Sequence, residues 1–140
     1  MEKVSFTPLN DAPSVKGKIL TGVFKSGSGK AKRYRALSKF FAAGFEVLHV
    51  GINVKNALFI QEMKKFSPHA LILLCQGNID GVKSLIEAIK EEEIRSMARI
   101  ILYGSNIHES VRDEVHADAY AENEQDLFDI VKEVVREIFL

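Results

Sequence analysis

Five short apolar runs alternate with five amphipathic stretches along this chain of 140 residues. The runs are dense in branched and aromatic residues and cover positions 19–24, 45–50, 70–75, 99–103 and 117–121. Those in the middle are apolar throughout, which is typical of strands buried on both faces of a parallel sheet. Apolar residues recur at helical spacing in the stretches between, which cover positions 30–43, 56–66, 80–93, 109–116 and 125–140.

Strict alternation of strand and helix predicts an α/β fold with a parallel sheet and helices on both faces. The chain ends after five units, which favours a flavodoxin-like three-layer sandwich with strand order 2-1-3-4-5. Residues 1–17 contain Pro8 and Pro13 among mixed polar residues and are predicted to be an extended lead-in. Residues 18–140 are expected to form a single domain, which this length accommodates.

Composition narrows the classes of protein to consider. The apolar fraction is 46% and the charged fraction is 27%, as in soluble globular proteins. No apolar run approaches the roughly 18 residues that a membrane span needs. The single cysteine, Cys75, cannot form an internal disulfide, so a reducing cytoplasm is the simplest setting.

The net charge of zero hides an uneven distribution along the chain. Residues 1–40 carry nine basic residues against two acids, whereas residues 87–140 carry six basic residues against fourteen acids. This pattern suits a contact with a small anion, with an acidic partner protein or with a second copy of the chain; the alternative is an unevenly charged solvated surface. A dedicated nucleic-acid binder is not expected, because the whole chain has no positive net charge.

The loop after the first predicted strand, from Lys25 to Lys30, is rich in glycine, serine and cations. Backbone N–H groups at a helix N-terminus there predict a site for an anion. The loop is not a nucleotide-binding P-loop, because Phe24 stands where the first glycine is required and Ala31 replaces the Ser or Thr. Aspartyl-phosphate chemistry is also excluded, since Phe24 and Lys25 occupy the place of the acidic pair.

Histidine and cysteine spacing predicts no metal centre and no catalytic residue. The histidines are His49, His69, His108 and His116, and no pair has the usual spacing of metal ligands. Cys75 falls in the predicted ligand crevice, where a nucleophilic role would need a nearby base or cation. We expect no enzymatic activity of the chain on its own.

Four segments carry a resemblance to a known family: KILTGV at 18–23, AAGFEVLHVG at 42–51, HALI at 69–72 and ILYG at 101–104. The chain resembles the cobalamin-binding domain of methylmalonyl-CoA mutase and of related B12-dependent isomerases and methyltransferases. The likeness covers roughly residues 17–138 and implies the same flavodoxin-like fold. It also implies a ligand site at the carboxyl edge of the sheet.

The family's cofactor motifs are degenerate in this chain. The motif Asp-x-His-x-x-Gly, whose histidine binds cobalt, is replaced by SGSGKA at 26–31, and a serine hydroxyl cannot replace an imidazole there. Leu74, Cys75 and Gln76 replace Ser-x-Leu, and Gly104 and Ser105 replace Gly-Gly. The resemblance thus implies these candidate ligand-binding residues: Lys25, Ser26, Gly27, Ser28, Gly29, Lys30, Leu74, Cys75, Gln76, Gly104 and Ser105.

Two hypotheses for function follow. In the first, the chain is a non-catalytic module that binds a small anionic ligand or a partner subunit at the carboxyl edge. This edge is formed by Lys25–Lys30, Gly51–Asn53, Cys75–Ile79 and Gly104–Ile107. In the second, it is the small corrinoid-binding subunit of a B12-dependent mutase or methyltransferase. Its cobalamin would then be base-on or loosely held, without a histidine on cobalt.

Overall fold

A computed structural model describes residues 4–6, 17–27, 35–104 and 107–139. The strands are β1 (Val4–Phe6), β2 (Gly17–Lys25), β3 (Phe45–Ile52), β4 (Ala70–Gln76), β5 (Arg99–Tyr103) and β6 (Ala119–Ala121). The helices are α1 (Arg35–Ala42), α2 (Asn56–Phe66), α3 (Ile79–Glu91), α4 (Glu109–Val115) and α5 (Glu124–Phe139), with a short 3₁₀ turn at Arg95–Met97.

The strands form one sheet in the order β1-β3-β2-β4-β5-β6. All pairs are parallel except β1 with β3, which is antiparallel. The five parallel strands therefore have the predicted order 2-1-3-4-5, which confirms the fold class. The short strand β1 falls within the predicted lead-in and adds an antiparallel edge that the sequence pattern did not indicate.

Helices cover both faces of the sheet, and each face has its own apolar core. Helices α2, α3 and α4 pack on one face around side chains such as Phe59, Leu85 and Ile100. Helices α1 and α5 pack on the other face around Phe40, Leu74 and Val131. The central strand β4 contributes to both cores, because alternate side chains of a strand point to opposite faces.

The helix boundaries follow from local chemistry. Helix α2 ends where Ser67 takes a left-handed conformation with φ of 51°, and Pro68 cannot continue a helix. Asn78 caps α3 by accepting a 2.9 Å hydrogen bond from the Gly81 N–H. Within the described ranges, no helix is long and apolar enough to cross a membrane.

Candidate functional site

The end of β2 is held in a tightly bonded turn. Lys25 donates its backbone N–H to Asn53 Oδ1 at 2.9 Å, and its carbonyl accepts from Asn53 Nδ2 at 2.8 Å. The next residue, Ser26, donates its N–H to the Gln76 carbonyl at 3.0 Å. The chain then turns at Gly27, whose φ of 77° is in the left-handed region. The predicted residues Lys25, Ser26, Gly27 and Gln76 thus meet in one place.

The ammonium group of Lys25 bends over this turn. Its Nζ donates to the Gly27 carbonyl at 3.0 Å, which keeps a positive charge at the start of the predicted anion loop. A Cβ added at Gly27 would meet no atom of the described residues within 4 Å. The remaining predicted loop residues, Ser28, Gly29 and Lys30, lie outside the described residues.

Two asparagines of the predicted carboxyl edge connect its neighbouring loops. Asn78 donates from Nδ2 to Asn53 Oδ1 at 3.1 Å, so the loop after β4 is bonded to the loop after β3. Asn53 is in turn bonded to Lys25, the last residue of β2. The sequence pattern predicted both residues at this edge but not the hydrogen bonds that they make.

The three predicted residues at the end of β4 have different environments. Leu74 is fully buried in the core shared with α1 and α5, whereas Gln76 is half-buried. Cys75 is buried on the opposite face, and its Sγ donates to the Leu73 carbonyl at 3.4 Å. Burial raises the pKa of the Cys75 thiol to about 12, so this group is protonated and unreactive near neutral pH.

Gly104 serves close packing between two strands. A Cβ at this position would lie 2.5 Å from the Cys75 carbonyl oxygen and 3.1 Å from Ile107 Cγ1. Its N–H donates to the Ala121 carbonyl at 3.2 Å. The protein's own backbone therefore occupies the space that the missing side chain of Gly104 leaves. Ser105, the next predicted site residue, lies outside the described residues.

The histidines are dispersed over the molecule. His49 Nδ1 is hydrogen-bonded to Thr21 Oγ1 at 2.6 Å, and burial lowers its pKa. His69 lies at the opposite edge of the sheet, where its Nδ1 accepts the Lys18 N–H at 2.9 Å. His108 is exposed and lies 3.7 Å from Glu122. Among the residues with described positions, no group of three His, Cys, Asp or Glu residues is arranged to hold a metal ion.

An open cleft lies between β6 and the start of α5. It is lined by Glu122, Asn123, Asp126 and Asp129 together with apolar atoms of both elements. The acidic side chains of this cleft would repel an anionic ligand. The cleft is therefore not the predicted anion site, and its lining does not include Lys25.

Known corrinoid proteins are similar to this chain in sequence. It is 27% identical over 130 residues to dimethylamine corrinoid protein 3 of Methanosarcina mazei. The alignment covers 91% of this chain and 78% of that protein. It is 31% identical over 96 residues to a dimethylamine corrinoid protein of Methanosarcina barkeri. That alignment covers 67% of this chain and 45% of the relative. The chain is thus similar to known corrinoid proteins over most of its length. No protein-family model matches it.

Solved structures confirm the family fold. A cobalamin-binding protein from Desulfitobacterium hafniense has a TM-score of 0.73 at 22% identity, covering 86% of this chain and 59% of that one. The methanol:cobalamin methyltransferase complex MtaBC from Methanosarcina barkeri has a TM-score of 0.74 at 15% identity, covering 91% of this chain and 50% of the matched chain. This chain thus spans little more than half the length of the solved chains it matches.

The described carboxyl edge offers small and polar groups to a corrin ring, and the loop after β2 offers no histidine to cobalt. Ser26, Gly27, Asn53 and Gly77 are exposed and polar or small, and a corrin ring has a fringe of amide groups that such a surface can hydrogen-bond. The sequence contains no histidine before His49, so the loop after β2 has no imidazole to give to cobalt. Leu74 fills the core beneath the edge, where the family's motif has a residue beside the slot for the nucleotide tail.

Proposed function

We propose that this chain is a corrinoid carrier that holds cobalamin at the carboxyl edge of its sheet without a histidine on cobalt. A bound corrinoid would supply a cobalt atom able to carry a methyl group, and a partner methyltransferase subunit would carry out the reaction. The observation that carries the proposal is the match to a dimethylamine corrinoid protein over 91% of the chain. The MtaBC complex supports a role beside a methyltransferase.

The chain's own residues would bind and orient the ring. The bonded turn at Lys25–Gly27, together with Asn53 and Gly77, would hold the ring. The Lys25 ammonium, held over the turn by the Gly27 carbonyl, would donate to ligand oxygen atoms such as amide carbonyls or a phosphate. Because Leu74 occupies the core below, the nucleotide tail would stay outside it.

Titration of the purified chain with aquocobalamin, followed by absorption and by gel filtration, tests the proposal. We expect a saturable spectral change and elution of the corrinoid with the protein. Lys25→Ala is expected to weaken binding about tenfold, as for loss of one charge-assisted hydrogen bond. The matched control Lys132→Ala removes an exposed cation from α5 and should leave affinity unchanged. Failure of the corrinoid to co-elute with the wild type would overturn the proposal.

The mode of cobalt ligation needs a separate experiment. Protein uniformly labelled with ¹⁵N is loaded with unlabelled cobalamin, reduced to the Co(II) state and examined by electron paramagnetic resonance. Nitrogen from the cofactor's own base splits the cobalt lines into triplets, whereas a labelled imidazole from the protein gives doublets. We expect triplets, or no nitrogen splitting. Doublets would show a protein histidine on cobalt.

A second candidate function, a module for a small anionic ligand with no corrinoid, is favoured by the buried Leu74 and by the cationic turn. Native mass spectrometry of the purified protein distinguishes the two functions, since it would show the mass of any bound ligand. A phosphate-bearing compound that is bound to the wild type and absent from Lys25→Ala would support this second candidate.

A further inference from the structure

The loops after three adjacent strands are connected by side-chain amides. Asn53, after β3, bonds both backbone groups of Lys25, the last residue of β2. Its own backbone N–H donates to the Val23 carbonyl at 2.8 Å, so Asn53 makes three hydrogen bonds to the end of β2. Asn78, after β4, completes the series by donating to Asn53 Oδ1 at 3.1 Å.

The backbone conformation of Asn53 suits this role. Its φ of 47° lies in the left-handed region, which asparagine adopts more readily than most residues. The conformation carries the chain away from β3 while the side-chain amide turns back to Lys25. A Gln, Ser or Ala at this position would not combine this backbone conformation with the same pair of bonds.

These bonds determine which groups of the turn remain for a ligand. The Lys25 N–H and carbonyl are taken by Asn53, and the Ser26 N–H is taken by Gln76. Among the described groups of the turn, recognition is therefore left to the Lys25 ammonium, the Ser26 hydroxyl and Gly27. The position of that ammonium depends on the Lys25 backbone, which Asn53 holds in place.

We propose that Asn53 is a positioning residue of the candidate site, which holds the Lys25–Gly27 turn in the shape that receives the corrinoid. This inference rests on the proposed function. Asn53 need not touch the cobalt or react, because it acts through the turn. Loss of a residue that orients a binding group typically weakens ligand binding without abolishing the fold.

The test compares Asn53→Gly with the control Asn56→Ala. Glycine accepts a φ of 47° without strain, so the variant removes the amide bonds and leaves the backbone conformation available. Asn56 also makes an amide hydrogen bond, from Nδ2 to Ser84 Oγ at 2.9 Å, but this bond joins α2 to α3 and does not involve the turn. Two readouts are measured on each full-length variant: hydrogen exchange of the Lys25 amide and affinity for aquocobalamin.

In Asn53→Gly we expect faster exchange of the Lys25 amide and an affinity lower by about tenfold, with the urea midpoint close to that of the control. Asn56→Ala should change neither readout. Unchanged Lys25 exchange and unchanged affinity in Asn53→Gly would overturn the inference. A wild type that binds no aquocobalamin would overturn the proposed function instead, whatever the exchange rates show.

Discussion

Cys75 is the last residue but one of β4, beside the candidate site, yet its thiol is enclosed by core side chains. Burial raises its pKa to about 12, so almost no thiolate is present at neutral pH, and the thiolate is the reactive form. We expect Ellman's reagent to react very slowly with the native protein and at once in guanidinium chloride. Because the chain has one cysteine, the signal reports this residue alone. Full reaction of the native protein during mixing would contradict the assignment.

At the scale of elements, the contact between β4 and β5 depends on Gly104. A methyl group there would overlap the Cys75 carbonyl, which is backbone and cannot turn aside. We expect Gly104→Ala to lower the free energy of unfolding by about 1–3 kcal/mol, as overpacking does elsewhere. Urea denaturation measures the loss, with Ser38→Ala on the exposed face of α1 as the neutral control. Equal stability of the two variants would show that β4 and β5 make room for the methyl group at no cost in free energy.

Elements formed by continuous apolar runs could be predicted from the sequence. Strand β5 and helix α2 have the predicted bounds, because burial on both faces and a following proline each leave a local signature. Strand β1 was not predicted, since three residues in a polar context form a strand only by pairing with β3. The hydrogen bonds from the Asn53 side chain to the Lys25 backbone were also not predicted. These bonds span 28 positions, and only the folded register brings those groups together.

At the scale of the whole molecule, described residues of the basic and of the acidic parts of the sequence lie on one side of the protein. Helices α1 and α5 pack beside each other on one face of the sheet. Lys39 on α1 and acids such as Asp129 and Glu133 on α5 therefore share that side. Exposed charges are screened beyond about 10 Å in salt solution, so these charges act mainly on near neighbours. Contact with a second copy of the chain stays a prediction.

Global stability should depend on pH through His69. Its Nδ1 accepts the Lys18 N–H and is therefore unprotonated, and burial followed by the charge of Lys18 lowers its pKa from 6.5. The unfolded chain binds this proton more readily, so stability is greatest above 6.5 and falls as the solution is acidified through that value. His49 contributes in the same direction.

Urea midpoints of the wild type and of His69→Asn at about pH 8 and about pH 5 measure this effect. We expect the wild type to lose more stability on acidification than the variant. The same pH dependence in both proteins would mean that His69 is protonated equally in the folded and unfolded chains.

The antiparallel strand β1 has a consequence for how the protein behaves at high concentration. Strand β3 has eight residues, and without β1 its outer row of N–H and C=O groups would be open along much of its length. An open, regular edge is a template on which further chains add as strands. At the other border of the sheet, β6 has only three residues and offers little to extend. Removing Val4–Phe6 would open the edge of β3 at Val47–His49, where β1 pairs, and we expect it to make the protein more prone to aggregate.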